Sequence, residues 1–170
     1  MILIAKVCLI VGECFNEQGL LANLPDSSLS ESSFRTINEQ RDASKSRLNP
    51  LQSGNHENVG LRPNDDNIRE WIQADLLVIV HVYRIDTKGY RITQFQHWIK
   101  TFQLQYRSGT EKSRIVTSST GGITFDANFD AETVVTNEFP PVVARVVRLY
   151  PLTWLRAITL LWELYSCTEG

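Results

Sequence analysis

From Trp71 onward the apolar positions of the chain recur with a period of two. In "WIQADL", Ile72, Ala74 and Leu76 fall on one face, against Trp71, Gln73 and Asp75 on the other. "VIVHVYRI" is rich in β-branched residues. "FQLQY" alternates without error, with Phe102, Leu104 and Tyr106 inward and Gln103 and Gln105 outward. "AITLLWELY" gathers Ile158, Leu160, Trp162 and Leu164 on one face. Short period-two runs separated by turn residues predict an all-β sandwich or barrel, and no segment of helical period competes with them.

Residues 23–67 carry no such pattern. "NLPDSSLSESSF" is crowded with serine and turn formers, and the later part holds Pro50, Gly54, Gly60 and Pro63. A stretch of this length inside one compact domain is expected to consist of packed surface loops or to be functional.

The strand-like run "VVARVVRLY" bears an arginine on each face. Strict alternation groups Arg145 with Val143, Val147 and Leu149, and Arg148 with Val142, Val146 and Tyr150. A core-facing arginine needs a partner, because an unpaired buried charge is costly. Asp75 and Glu163, both inside apolar runs, are the candidates; the alternative is that the arginines reach solvent at strand edges. Either way Asp75, Arg145, Arg148 and Glu163 are read as structural charges.

Composition narrows the functional classes. At 170 residues the chain fits one domain. A net charge of -2 without any lysine/arginine block argues against a nucleic-acid partner. His56, His81 and His97 lack metal-binding spacing, and G-x-S-x-G, P-loop and G-x-G-x-x-G patterns are missing, so no catalysis is expected. Asp126, Asp130 and Glu132 read as a solvated loop, with calcium the alternative, so the metal question stays open and no cofactor is required. The apolar start "MILIAKVCLIVGEC" is too short to span a membrane, and residues 1–13 are set apart as a signal-like or extra N-terminal segment. Of three cysteines, Cys14 and Cys167 flank the globular part; one bond between the two ends and free thiols both stand as readings.

Several segments taken together resemble the coagulation factor V/VIII type C domain, also called the discoidin domain. They are "LPDSSLSESS", "SRLN", "REWIQADL", "FQLQY", "FDANFDAETVVTNEFPPVVARVVRLYPLTW" and "ITLLWELYSC", in order and at the expected spacing. The resemblance covers residues 14–167, leaving 168–170 as a tail. It implies a discoidin-like β-sandwich, a distorted jelly-roll barrel of the galactose-binding-domain kind. It also implies a Cys14–Cys167 disulfide and therefore an extracellular setting, secreted or at the cell surface. The chain departs from the family pattern at Leu77 and Ser166, where glycines are usual, and at Leu161, where an arginine is common.

Members of this family bind ligands with loops at one end of the sandwich. Carried onto this chain, the loops fall around Phe34–Arg41, between Gly89 and Trp98, and around Phe125–Glu132. The expected contact residues are Phe34, Arg35, Ile37 and Arg41; Tyr90, Arg91, Ile92 and Phe95; and Asn128 and Phe129. Apolar tips beside arginines suit an anionic phospholipid surface, and the same mixture suits a glycan. Trp98 and Phe125 are expected to brace the loops from the core side. The resulting expectation is a non-catalytic adhesion module that attaches peripherally to a cell surface through phospholipid or glycan. The alternative is a receptor-type module that binds an extracellular protein.

Overall fold

The computed structural model describes residues 16–36, 41–48, 59–92 and 94–167. The strands are β1 (Glu17–Gly19), β2 (Leu29–Glu31), β3 (Ile72–Lys88), β4 (Tyr90–Ile92), β5 (Phe95–Arg107), β6 (Arg114–Ile115), β7 (Phe125–Asp126), β8 (Val135–Leu155) and β9 (Leu161–Cys167). All their pairings are antiparallel.

Two long strands serve both layers of a β-sandwich. β3 follows β8 along most of its length and takes β2 on its other edge at the start and β9 at the end. β8 in turn takes β5, which carries β4, β6 and β7, while β1 closes on β9. Between Asp75 and Val80 β3 bulges outward while β8 advances only from Val146 to Ala144. Extra residues on one strand bend it and sharpen its twist, and here both strands turn the corner that stacks one layer on the other.

The alternation seen in the sequence puts the core between the layers. Ile72, Ala74 and Leu76, Phe102 and Leu104, and Ile158, Leu160, Trp162 and Leu164 are all buried in one cluster. Within it Phe125 of β7 stacks on its cross-strand partner Phe102 of β5, centroids 5.4 Å apart, and meets Phe139 of β8 edge-on at 5.9 Å. The Trp162 indole is satisfied as well, donating to Ser46 Oγ at 3.1 Å.

The grouping expected along "VVARVVRLY" is corrected by the corner. Ala144 faces the core before it and Val147 and Leu149 after it, whereas Val143 and Arg145 point out to solvent. The strand changes parity where it bends, so no uninterrupted period of two runs through it. Arg145 donates to Asp75 Oδ1 at 2.9 Å across the corner, in a pair that stays substantially exposed. Arg148 lies over the Trp71 ring, 3.9 Å from its centroid, and its Nε and Nη2 both donate to Gln73 Oε1.

The patternless early region is packed on this frame by hydrogen bonds. Its described residues include two short 3-10 helices, Asp26–Ser28 and Ala43–Ser46. The buried Arg47 donates to the carbonyls of Leu21 at 3.0 Å, Leu24 at 2.7 Å and Ser44 at 2.9 Å. That single side chain holds the early loops together, and the Arg47 backbone bridges to Trp162 of the last strand.

Candidate functional site

β3 ends and β5 begins at one end of the sandwich, and the chain there forms a β4–β5 hairpin in which Tyr90 pairs with His97 and Ile92 with Phe95. The base of the hairpin is rigid because Gly89 is hemmed in. A Cβ at that position would lie 2.8 Å from His97 O and from Trp98 Cβ, and 2.9 Å from Ala131 Cα. The segment after β7 is fixed beside it by amides of Ala127 and Asn128, which donate to Lys100 O at 2.7 Å and Ile99 O at 3.0 Å. Trp98 and Phe125, near the roots of the two segments, are buried.

On this support two aromatic residues stand out from separate loops. Phe129 is 70% exposed and Phe95 45%. Arg91 reaches from β4 to Glu132 at 3.2 Å and joins the two loops at the surface. Asp130 is occupied within its own turn, accepting from the amides of Glu132 and Thr133 and from the Thr133 hydroxyl, and these bonds hold its carboxyl below the usual range.

Two residues expected at the contact surface are buried instead. Arg41 is 5% exposed; its guanidinium donates to the carbonyls of Val59 and Gly60 and lies 5.1 Å from the Tyr90 ring centroid. It therefore ties the first loop to the hairpin and cannot meet a ligand at a tip. Asn128 is 3% exposed and donates to Thr87 O at 3.1 Å and Thr133 O at 2.8 Å, which makes it the clamp of the third loop. Carbonyl groups distant in sequence, Val59 and Gly60 for Arg41 and Thr87 for Asn128, capture both side chains, and their positions depend on tertiary folding.

The remaining expected residues divide. Phe34 is half-buried against the core and helps line a cavity of about 460 Å³ with Leu29, Glu31, Asp42 and Lys45. Burial raises the Glu31 carboxyl above its usual range, partly offset by the Ala43 amide. Arg35 is exposed and its amide donates to Arg62 O at 2.8 Å. Tyr90 is half-buried. Ile37 lies outside the described residues, as does the side chain of Ile92. Cys167 is disulfide-bonded, while Cys14 lies outside the described residues.

Sequence reasoning missed a cationic group below the hairpin. Arg62 bonds Asp66 Oδ1 at 2.6 Å and Ile158 O at 3.2 Å, and Asp66 accepts from the Ile158 amide at 2.7 Å. Arg156, in the turn between β8 and β9, places its guanidinium carbon 5.5 Å from the Phe95 ring centroid. Burial, reinforced by the charges of Arg62, Arg41 and Arg156, holds the His97 imidazole below its usual range, with Asp66 opposing. The end thus presents two exposed aromatic rings and the exposed guanidinium groups of Arg91 and Arg156, the former paired with Glu132, above the buried Arg41 and the largely buried Arg62.

Comparison with known proteins agrees with this architecture. Discoidin II of Dictyostelium discoideum superposes with a TM-score of 0.72 at 23% identity, covering 91% of this chain and 60% of that one. A family 32 CBM from C. perfringens NanJ, solved in complex with galactose, gives 0.60 at 14% identity over 89% of this chain and all of that one. In sequence the chain is 34% identical to neuropilin-1 of Xenopus laevis over 128 residues, 74% of this chain and 13% of that protein. It is 34% identical to human neuropilin-2 over 143 residues, 79% of this chain and 15% of that protein. The chain thus corresponds to only a small part of these relatives. With the family model for the F5/8 type C domain matching residues 28–164, the chain belongs to the F5/8 type C, or discoidin, domain family.

Proposed function

We propose that this domain is a non-catalytic extracellular binding module that attaches to anionic phospholipid at a cell surface through its loop end. The observation that carries the reading is the pair Phe95 and Phe129, exposed on two loops that share one rigid base. Exposed aromatic tips flanked by arginine lower their free energy when the rings enter the headgroup layer and the guanidinium groups meet phosphate. The disulfide at Cys167 supports an oxidising, extracellular setting.

Co-sedimentation with phosphatidylserine vesicles, set against neutral phosphatidylcholine vesicles, tests the reading. The oxidised domain is expected to pellet with the anionic vesicles, and the Phe95→Ser, Phe129→Ser double variant to stay in solution. Equal recovery on both vesicle types, or none on either, sinks it.

The 34% identity to neuropilin-1 and neuropilin-2 supports a second reading, a receptor-type module for an extracellular protein. A glycan would use the same surface. Competition by free monosaccharide separates the glycan, and binding that survives both sugar and the aromatic substitutions points to a protein partner.

A further inference from the structure

Between β8 and β9 the chain turns within three residues. The Ala157 amide donates to Leu155 O at 2.6 Å, and Arg156, at the centre, has a φ of 60°. Such a turn is strained for any residue with a Cβ and free for glycine. The anchored backbone around Ile158 holds the turn, and the Arg156 side chain adds no anchor of its own: among the described residues it makes no hydrogen bond or ion pair, and its one ring contact is with Phe95. Residues held in sparsely populated backbone regions concentrate at ligand contacts, where the strain fixes a side chain's direction.

Its neighbours differ. Arg41 is held by two carbonyls, Arg62 by Asp66 and Arg91 by Glu132. Since Arg62 engages Asp66, that carboxylate is not free to neutralise Arg156. What remains is an exposed guanidinium held beside a partly exposed aromatic ring.

We infer that Arg156 and Phe95 act as one contact unit, the ring entering the headgroup layer of an anionic membrane while the guanidinium takes a lipid phosphate in its planar fork. The inference rests on the phospholipid reading above and adds a fourth loop to the binding surface.

The test uses the full oxidised chain, mixed phosphatidylserine–phosphatidylcholine vesicles, and the variants Arg156→Gly and Arg156→Lys. Arg156→Gly is expected to melt at the wild-type temperature or higher, because glycine fits the turn, yet to bind vesicles about fivefold more weakly, the effect of one basic residue at an anionic surface. Arg156→Lys retains the charge and recovers part of the binding. Wild-type vesicle affinity in Arg156→Gly overturns the inference and leaves the phospholipid reading standing; absence of binding by the wild type removes both. A lowered melting temperature in Arg156→Gly assigns the side chain a structural role and also overturns it. Displacement by soluble glycerophosphoserine at constant ionic strength assigns a headgroup pocket in place of a membrane contact, with the same consequence.

Discussion

Glu163 Oε1 accepts a hydrogen bond from the Leu21 amide at 2.6 Å, across 142 residues of sequence. The same oxygen accepts from the Leu164 amide at 3.0 Å, and the side chain is 1% exposed. One carboxylate therefore fastens the first loop to β9 from inside the protein. The cost is desolvation: burial raises its pKa above the usual 4.5, with the surrounding amides pulling it back.

The sign of the pH dependence follows from that shift. Between 4.5 and the raised value the native state binds more protons than the unfolded chain, so this group's contribution to stability falls as pH rises through that window. Glu163→Gln keeps an acceptor for the two amides and removes the charge. At neutral pH the variant is expected to melt at or above the wild-type temperature. The difference should move in favour of the wild type as pH falls towards 4.5. Melting curves of both proteins across that range check it, and a gap independent of pH would show that Glu163 is not charged at a cost.

Leu77 makes the opposite case, a strained residue in a wet place. Its φ is 67° and it is 51% exposed, at the corner where β3 bulges. The chain has leucine where its family usually has glycine, so Leu77→Gly relieves the backbone and gives up little buried surface. A gain of about 1 kcal/mol is expected from the positive φ, reduced somewhat by the freedom glycine adds to the unfolded chain. Urea denaturation measures it. A loss of stability would mean that the Leu77 side chain contributes more packing than its exposure suggests.

How much of this was legible in the sequence depends on the range of the forces involved. Ile72, Ala74 and Leu76 announce a strand because burial on one face leaves a period of two, and that signal is local. The corner in β8 leaves no such signal, since Ala144 and Val147 both face the core and the strict period fails between them. Among the expected contact residues, Phe95 and Phe129 are exposed where the family resemblance sets the loops. Arg41 and Asn128 prove buried because their partners Val59, Gly60 and Thr87 are brought to them only by the fold. Arg156 was missed for a simpler reason: "TWLRAI" contains no glycine or asparagine to mark a turn of positive φ.

Gly89 tests whether the loop end works as one stiff unit. An added methyl would meet the backbone at His97 and Ala131 at 2.8 and 2.9 Å, and backbone cannot swing aside as a side-chain tip can. Gly89→Ala is expected to destabilise the domain by about 1–3 kcal/mol, the usual range for overpacking. It should also weaken vesicle binding under conditions where the protein remains folded, because Phe95 and Phe129 would no longer be held on one base. Near-native stability and binding together would mean that the hairpin is free to shift without consequence.

The disulfide at Cys167 has two conceivable partners, since the chain has only three cysteines, Cys8, Cys14 and Cys167. Glu17 pairs with Cys167 at the end of β1 and β9, so the N-terminal chain enters beside that cysteine. Cys14 lies three positions ahead of Glu17, Cys8 nine. The shorter connection favours Cys14, and a Cys14–Cys167 bond would close a loop of 153 residues (167 − 14). A loop of that length gives up to about 5 kcal/mol in chain-entropy terms, less any strain. Peptide mapping without reductant is expected to yield one crosslinked peptide holding Cys14 and Cys167, with Cys8 free to alkylate. Reduction should lower the melting temperature by many degrees, as should Cys14→Ser, while Cys8→Ser leaves it unchanged. A Cys8–Cys167 peptide would overturn the assignment and make residues 1–13 part of the folded domain.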